Sequence, residues 1–147
     1  MPNDFNQVAS GAAKNVQIAG VWVAAKDADD RYFDAARQLV VDTKRPVSSL
    51  DLTLYEVANV VGARWGRPEA ARELCRSIVA RCGDHLVNVD AALIESAVDM
   101  IAEHGLTAYD AAYVATATRY NWTLVSADIA DLVSKGLAVA PDAADYP

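Results

Sequence analysis

The alternation of short β-branched runs with longer segments of helical periodicity constrains this chain more than any other feature of its sequence. VQIAGVWVAA at 16–25 predicts a short apolar strand and an adjoining turn, and DADDRYFDAARQLVV places Tyr32, Ala36, Leu39 and Val40 on one helical face. Pro46 breaks that pattern, and PVSSL supplies a second strand before a helix that begins near Asp51. In LDLTLYEVANVVGAR the apolar residues surround the whole helix, which marks it as buried. Pro68 suits an early position of the helix PEAARELCRSIVARC, and HLVNV reads as a third strand. Asp90 and Gly105 can cap the two ends of AALIESAVDMIAEHG, and Thr107 can cap TAYDAAYVATATRY. WTLVS, DIADLVSK and GLAVA then give a fourth strand, a short helix and a fifth strand. Strands separated by helices imply a parallel sheet covered on both faces, because right-handed crossovers place the helices there. The expected class is a three-layer α/β/α fold around about five parallel strands.

At 147 residues the chain fits one domain, and its 53% hydrophobic content supplies a sizeable core. Residues 1–15 show neither period and are expected to form a loose N-terminal arm, with the folded domain spanning 16–147. No apolar run approaches the roughly 18 residues of a membrane span, so a soluble, cytoplasmic protein is expected. Cys75 and Cys82 are too few for a disulfide framework and lack the spacing of a zinc site, and they read as reduced, partly buried thiols.

The net charge of -7 argues against a broad basic surface for nucleic acid. Positive charge is concentrated at Arg64, Arg67, Arg72, Arg76 and Arg81, a stretch that could meet a phosphate backbone. Glu69 and Glu73 precede Arg72 and Arg76 by the spacing of helical ion pairs, which favours a solvated helix face. His85 and His104 have no Ser or Cys motif beside them, so a nucleophilic triad has no support. Trp22, Trp65 and Trp122 could stack on bases, although packing is the commoner role for a tryptophan.

The acidic residues are more informative. Glu56 sits on the apolar helix, where an ionised carboxylate needs a partner, and an ion pair with Arg64 balances a functional role. Asp110 follows Thr107 at capping-box spacing, and capping alone would explain it, yet small residues around it place the acid near the interior. Asp128 follows the strand WTLVS and can cap the helix after it, at the end of a strand where parallel sheets collect ligands. A parallel sheet could bring these acids, from three separate elements, to one edge. Hard oxygen donors of this kind suit Mg²⁺ or Mn²⁺ and do not suit zinc.

GLTAYDAAYVATA followed by TLVSAD resembles the C-terminal half of PIN domains of the VapC type. SSLDLTLYEVANVV is similar to the second acidic segment of that family, and VWVAAKDADDRYFDAARQLV to the stretch after its first acid. The resemblance covers about residues 16–140, with the motifs in the family's order. It implies metal-binding or catalytic roles for Glu56, Asp110 and Asp128, and a hydroxyl near the site at Ser126. It further implies Mg²⁺-dependent RNA cleavage, a homodimer, and inhibition by a small antitoxin protein.

The sequence departs from the family in the first strand, where an aspartate is expected three residues before VWVAA and Ile18 stands instead. Isoleucine offers no ligand and no means of orienting water. Asp27 and Asp29 lie well past the strand, and Asp4 belongs to the arm, so none is a natural replacement. Two readings follow. One is an endoribonuclease with a weakened site, and the other a catalytically inactive PIN-like module that binds a partner protein or RNA. A phosphoacceptor receiver domain would want an acidic pair after the first strand, which VQIAGVW lacks.

Overall fold

The structure, a computed structural model, describes residues 15–42 and 44–144. The expected arm therefore lies outside the described residues, except for Asn15, which is already the first residue of a strand. Strand β1 (Asn15–Gln17) runs parallel to β4 (Thr123–Val125), with Val16 opposite Leu124. Strand β2 (Ser49–Leu50) runs parallel to β3 (Leu86–Val87). A bridge between Val16 and Ser48 joins the two pairs, giving the order β3-β2-β1-β4.

The expected fifth strand GLAVA is reduced to a single bridge, Val139 to Val125, closed by Val139 N–H to Leu124 O and Ser126 N–H to Val139 O at 2.9 Å each. Pro141 follows closely and has no N–H to continue a ladder. The third strand is also shorter than HLVNV suggests, because the Val89 N–H leaves the ladder for the Asp51 carboxylate at 3.1 Å. The parallel α/β architecture thus stands, with four short strands among the described residues where about five were expected.

Helix α1 (Ala19–Ala24) occupies the stretch whose valines suggested a strand and a turn. Ile18 ends β1 by donating its N–H to Val125 O at 3.1 Å, and its carbonyl then accepts from Val21, so the ladder passes directly into a helical turn. The helix buries Ala19, Val21, Trp22 and Ala24 on several sides, and that packing outweighs the β preference of valine. Helix α2 (Phe33–Val41) and helix α3 (Asp51–Val57) follow, and α3 continues as a π-helix over Ala58–Arg64. Trp65 N–H bonds Val60 O across that wider ring at 2.9 Å. A Cβ added to Gly62 would stand 3.3 Å from the Ala71 Cβ, so glycine lets this segment lie close to helix α4 (Pro68–Cys82).

Helices α5 (Ala91–His104) and α6 (Ala108–Tyr120) carry the predicted caps: Asp90 accepts from Leu93 N–H, Thr107 accepts from Asp110 N–H, and Gly105 takes the left-handed conformation at φ 67°. The segment expected as a short helix after β4 is a π-helical turn, Ile129–Val133. Period-2 alternation sends Val16, Leu50 and Leu124 to a core shared with α5 and α6. Val47 and Val125 face the opposite layer, formed by α1, α2 and α4. Cys82 lies in that second layer, where burial pushes its thiol up to about 12 and keeps it protonated.

Candidate functional site

The junction between β1 and α1 is tied to α3 and α6 by a chain of hydrogen bonds centred on Tyr113. Leu50 N–H donates to Thr53 Oγ1 at 3.2 Å, and Thr53 Oγ1 lies 2.6 Å from the Tyr113 hydroxyl. Tyr113 donates in turn to Glu56 Oε1 at 2.8 Å, and its oxygen also accepts from the Ala19 backbone. Glu56 on α3, Tyr113 on α6 and the residue after Ile18 are therefore linked through one buried phenol. Its ionisation is held well above the ordinary tyrosine value by burial and by the Glu56 charge, so it stays a donor.

Glu56 takes Tyr113 as its partner, and among the described residues no ion pair joins it to Arg64. Burial raises its carboxyl, the Tyr113 hydrogen bond lowers it, and the charge of Asp110 raises it again. Asp110 stands at the N-terminus of α6. Its carboxyl is raised by burial first, then by Asp128 and Asp131, against smaller opposing effects of Thr107 and Lys135. Asp110 thus shares charge repulsion with Glu56, Asp128 and Asp131.

Asp128 reaches this group because β4 ends at Val125 and the chain turns at once. Ser126, buried at 1% exposure, accepts the Asp128 N–H at 2.9 Å, and Asp128 accepts the Asp131 N–H at 3.0 Å. Ser126 therefore positions the backbone that carries Asp128. Lys135 donates to His104 O at 2.9 Å, which holds its charge beside α6. Ile18, 8% exposed, packs in the core that includes Leu50, Ala112 and Tyr113.

Two participants escaped the sequence reading. Tyr113 is the one aromatic among the buried residues of α6, which are otherwise alanine, threonine and Val114, a signal that it fills a specific gap. Asp131 left no mark beyond an acid in the first turn after Asp128.

Among the described residues no three acidic, His or Cys side chains lie close enough together to form a metal-holding group. A hydrated magnesium ion keeps several waters and commonly binds through one or two carboxylates, so the oxygen donors of Asp110 and Asp128 are of a kind it accepts. Carboxylates that repel one another are the groups a divalent cation would relieve.

A model of the PIN domain matches residues 19–131, most of the chain and all of the acids above, with Ile18 one residue outside. No curated protein matches the sequence as a relative. Among solved structures, the chain is similar to VapC20 of Mycobacterium tuberculosis, a sarcin-ricin loop cleaving toxin, at 18% identity and TM-score 0.68, covering 90% of this chain and 99% of that one. It is also similar to a toxin-antitoxin complex of Klebsiella pneumoniae, at 17% identity and TM-score 0.64, covering 86% and 97%. A protein of Pyrobaculum aerophilum matches at 24% identity and TM-score 0.65, covering 89% and 92%. At these identities the structural likenesses establish the fold, and the match over 19–131 establishes descent: the chain belongs to the PIN domain family.

Proposed function

We propose that this chain is a Mg²⁺-dependent or Mn²⁺-dependent endoribonuclease of the VapC toxin type, with a site weakened by Ile18. What supports the reading is the charge repulsion that Asp110 shares with Glu56 and with Asp128, acids carried on three separate elements, together with the Tyr113 hydrogen bond that ties α6 to Glu56. Asp110 and Asp128 would hold the ion, which when bound lowers the pKa of water and steadies charge on the phosphate. Glu56 is kept in place by Tyr113, and its raised carboxyl is suited to accept a proton from an attacking water. Ser126 fixes the turn that presents Asp128.

Asp110→Asn tests this directly. The variant should fold as the parent does and lose at least about 100-fold in Mg²⁺-dependent cleavage of a mixed RNA pool, the usual scale for removing a positioned acid or base. Equal cleavage by the two proteins would remove Asp110 from the chemistry. A second reading, an inactive PIN-like module, is favoured by the apolar side chain at position 18, and the absence of cleavage in the parent would select it.

The fold shared with toxin-antitoxin complexes supports an antitoxin protein as partner and a cytoplasmic setting where RNA is available. Among the described residues no helix is long and apolar enough to cross a membrane. A homodimer is supported by exposed apolar side chains, Tyr55 at 77%, Tyr109 at 58% and Ile94 at 48%, around a cavity of about 280 Å³ floored by Leu52, Val89 and Ala112. Light scattering at micromolar concentration should give twice the chain mass, and Tyr55→Lys should shift the protein toward monomer. A parent that is monomeric across that range would end the dimer proposal.

A further inference from the structure

The basic stretch noted in the sequence is not spent on one helix face. Arg72 pairs with Glu69 and Arg81 donates to the carbonyls of Asp42 and Arg45, both structural uses. Arg67 instead meets Lys26 at a cavity of about 350 Å³, lined also by Trp65 and Asp27. Among the described residues neither Lys26 nor Arg67 forms an ion pair.

Both walls of this cavity are fixed. Gly66, at φ 68°, allows the turn after the π-helix, and bonds from Trp65 N–H to Val60 O and Arg67 N–H to Val61 O hold it at 2.9 and 3.0 Å. On the other wall Lys26 N–H bonds Val23 O at 3.0 Å, and Asp27 Oδ1 accepts from Asp29 N–H at 3.0 Å. Trp65 is half-buried against the core beside α4, so its ring is braced while it lines the cavity. Helix α1 begins beside the acidic site and ends at this cavity, a span of six residues and about 9 Å.

We infer that the Lys26–Asp27–Trp65–Arg67 cavity is a nucleotide subsite for single-stranded RNA. Trp65 offers a stacking plane that tolerates any base, and the two cations meet phosphates on either side. The free oxygen of Asp27 can accept from an exocyclic amine, as on cytosine or adenine. An acidic peptide brings no flat heteroaromatic base to stack on Trp65, which favours RNA as the occupant. The inference rests on the ribonuclease reading for its biological meaning, but the binding it describes is measured separately.

Trp22 and Trp122 are buried at 1% and 7% exposure, so tryptophan emission reports ligand contact chiefly through Trp65. Short oligocytidylate added to the whole protein should quench that emission. Trp65→Leu should abolish the quench and weaken binding about tenfold, read by anisotropy of labelled RNA. Because Trp65→Leu can disturb folding, a Lys26→Gln, Arg67→Gln pair of exposed changes is measured beside it. It should lower the salt slope of log K by about 1.4, two phosphate contacts on a single strand. Unchanged binding in both variants, with RNA cleavage intact, overturns the subsite and leaves the nuclease reading standing. Trp65-dependent binding without any cleavage supports the subsite and defeats the nuclease reading. Quenching by polyglutamate in place of RNA overturns the assignment in favour of a peptide.

Discussion

Ile18→Asp should lower the melting temperature of the metal-free protein by about 3 to 10 °C and, once Mg²⁺ is added, recover that loss while cleaving RNA faster than the parent. The first effect follows from packing. Ile18 is 8% exposed in an apolar cluster, where a carboxylate loses hydration, and a charge at this position is expected to repel Glu56 and Asp110, which already repel each other. A cost of about 1 to 3 kcal/mol corresponds to that melting shift for a chain of this length. The second effect is linkage, since an ion that binds the folded state alone stabilises it by mass action.

The parent already shows the same tension in the sign of its pH dependence. Glu56 and Asp110 have raised carboxyls, so the folded state holds protons that the unfolded chain has released. Their contribution is therefore fully present below the ordinary carboxylate range and is lost as pH rises through the raised values. Metal-free melting should improve as pH falls from neutral into that window, and Mg²⁺ should flatten the trend. An Ile18→Asp protein that melts like its parent with and without Mg²⁺, and cuts no faster, would show that position 18 is not part of the site.

The second large effect concerns Trp22→Ala, expected to cost about 3 to 5 kcal/mol and to move the urea midpoint down by about 1 to 3 M with the slope unchanged. Trp22 is 1% exposed among Val47, Val57, Leu74 and Ile78, so truncation leaves a cavity where α1, α3 and α4 meet. Its indole N–H also donates to Ser49 Oγ at 2.7 Å, and Ser49 donates to Gln17 O at 2.7 Å, so the side chain braces β2 against β1. Trp22→Phe keeps most of the volume and loses only the donor, and should cost about 1 to 2 kcal/mol. A midpoint change in the alanine variant smaller than about 0.5 M would contradict this placement of Trp22.

Local signals were the ones the sequence made legible. Pro68, Asp90, Gly105 and Thr107 act within a turn of their own backbone, and the helices they bound were predicted at their observed limits. The strands were overstated because a run of two or three paired residues is too short for period-2 alternation to register, and their ends were set from outside. Asp51 diverts the Val89 N–H, and Pro141 cannot extend the bridge at Val139. Helix α1 was missed for a related reason, since Val21 and Val23 favour strands in isolation and only packing on several sides makes them helical.

Glu56 and Asp110 stand out in the sequence as acids in apolar or small-residue surroundings, but the partner of Glu56 does not. Tyr113 meets Glu56 across 57 positions, a relation that no window of sequence contains.

The π-helix at Ala58–Arg64 carries a consequence for how the chain tolerates changes in length. A helix in this form holds more residues than its hydrogen-bonded turns need. Deleting one of them would let the ordinary ladder resume, with every later side chain rotated by about 100°. Glu56, upstream, would keep its phase relative to Tyr113, while Trp65 and Arg67 would swing away from Lys26. A one-residue length difference in this segment is thus a natural unit of divergence between descendants of this fold: it would leave the acids in register and redraw the surface beside them.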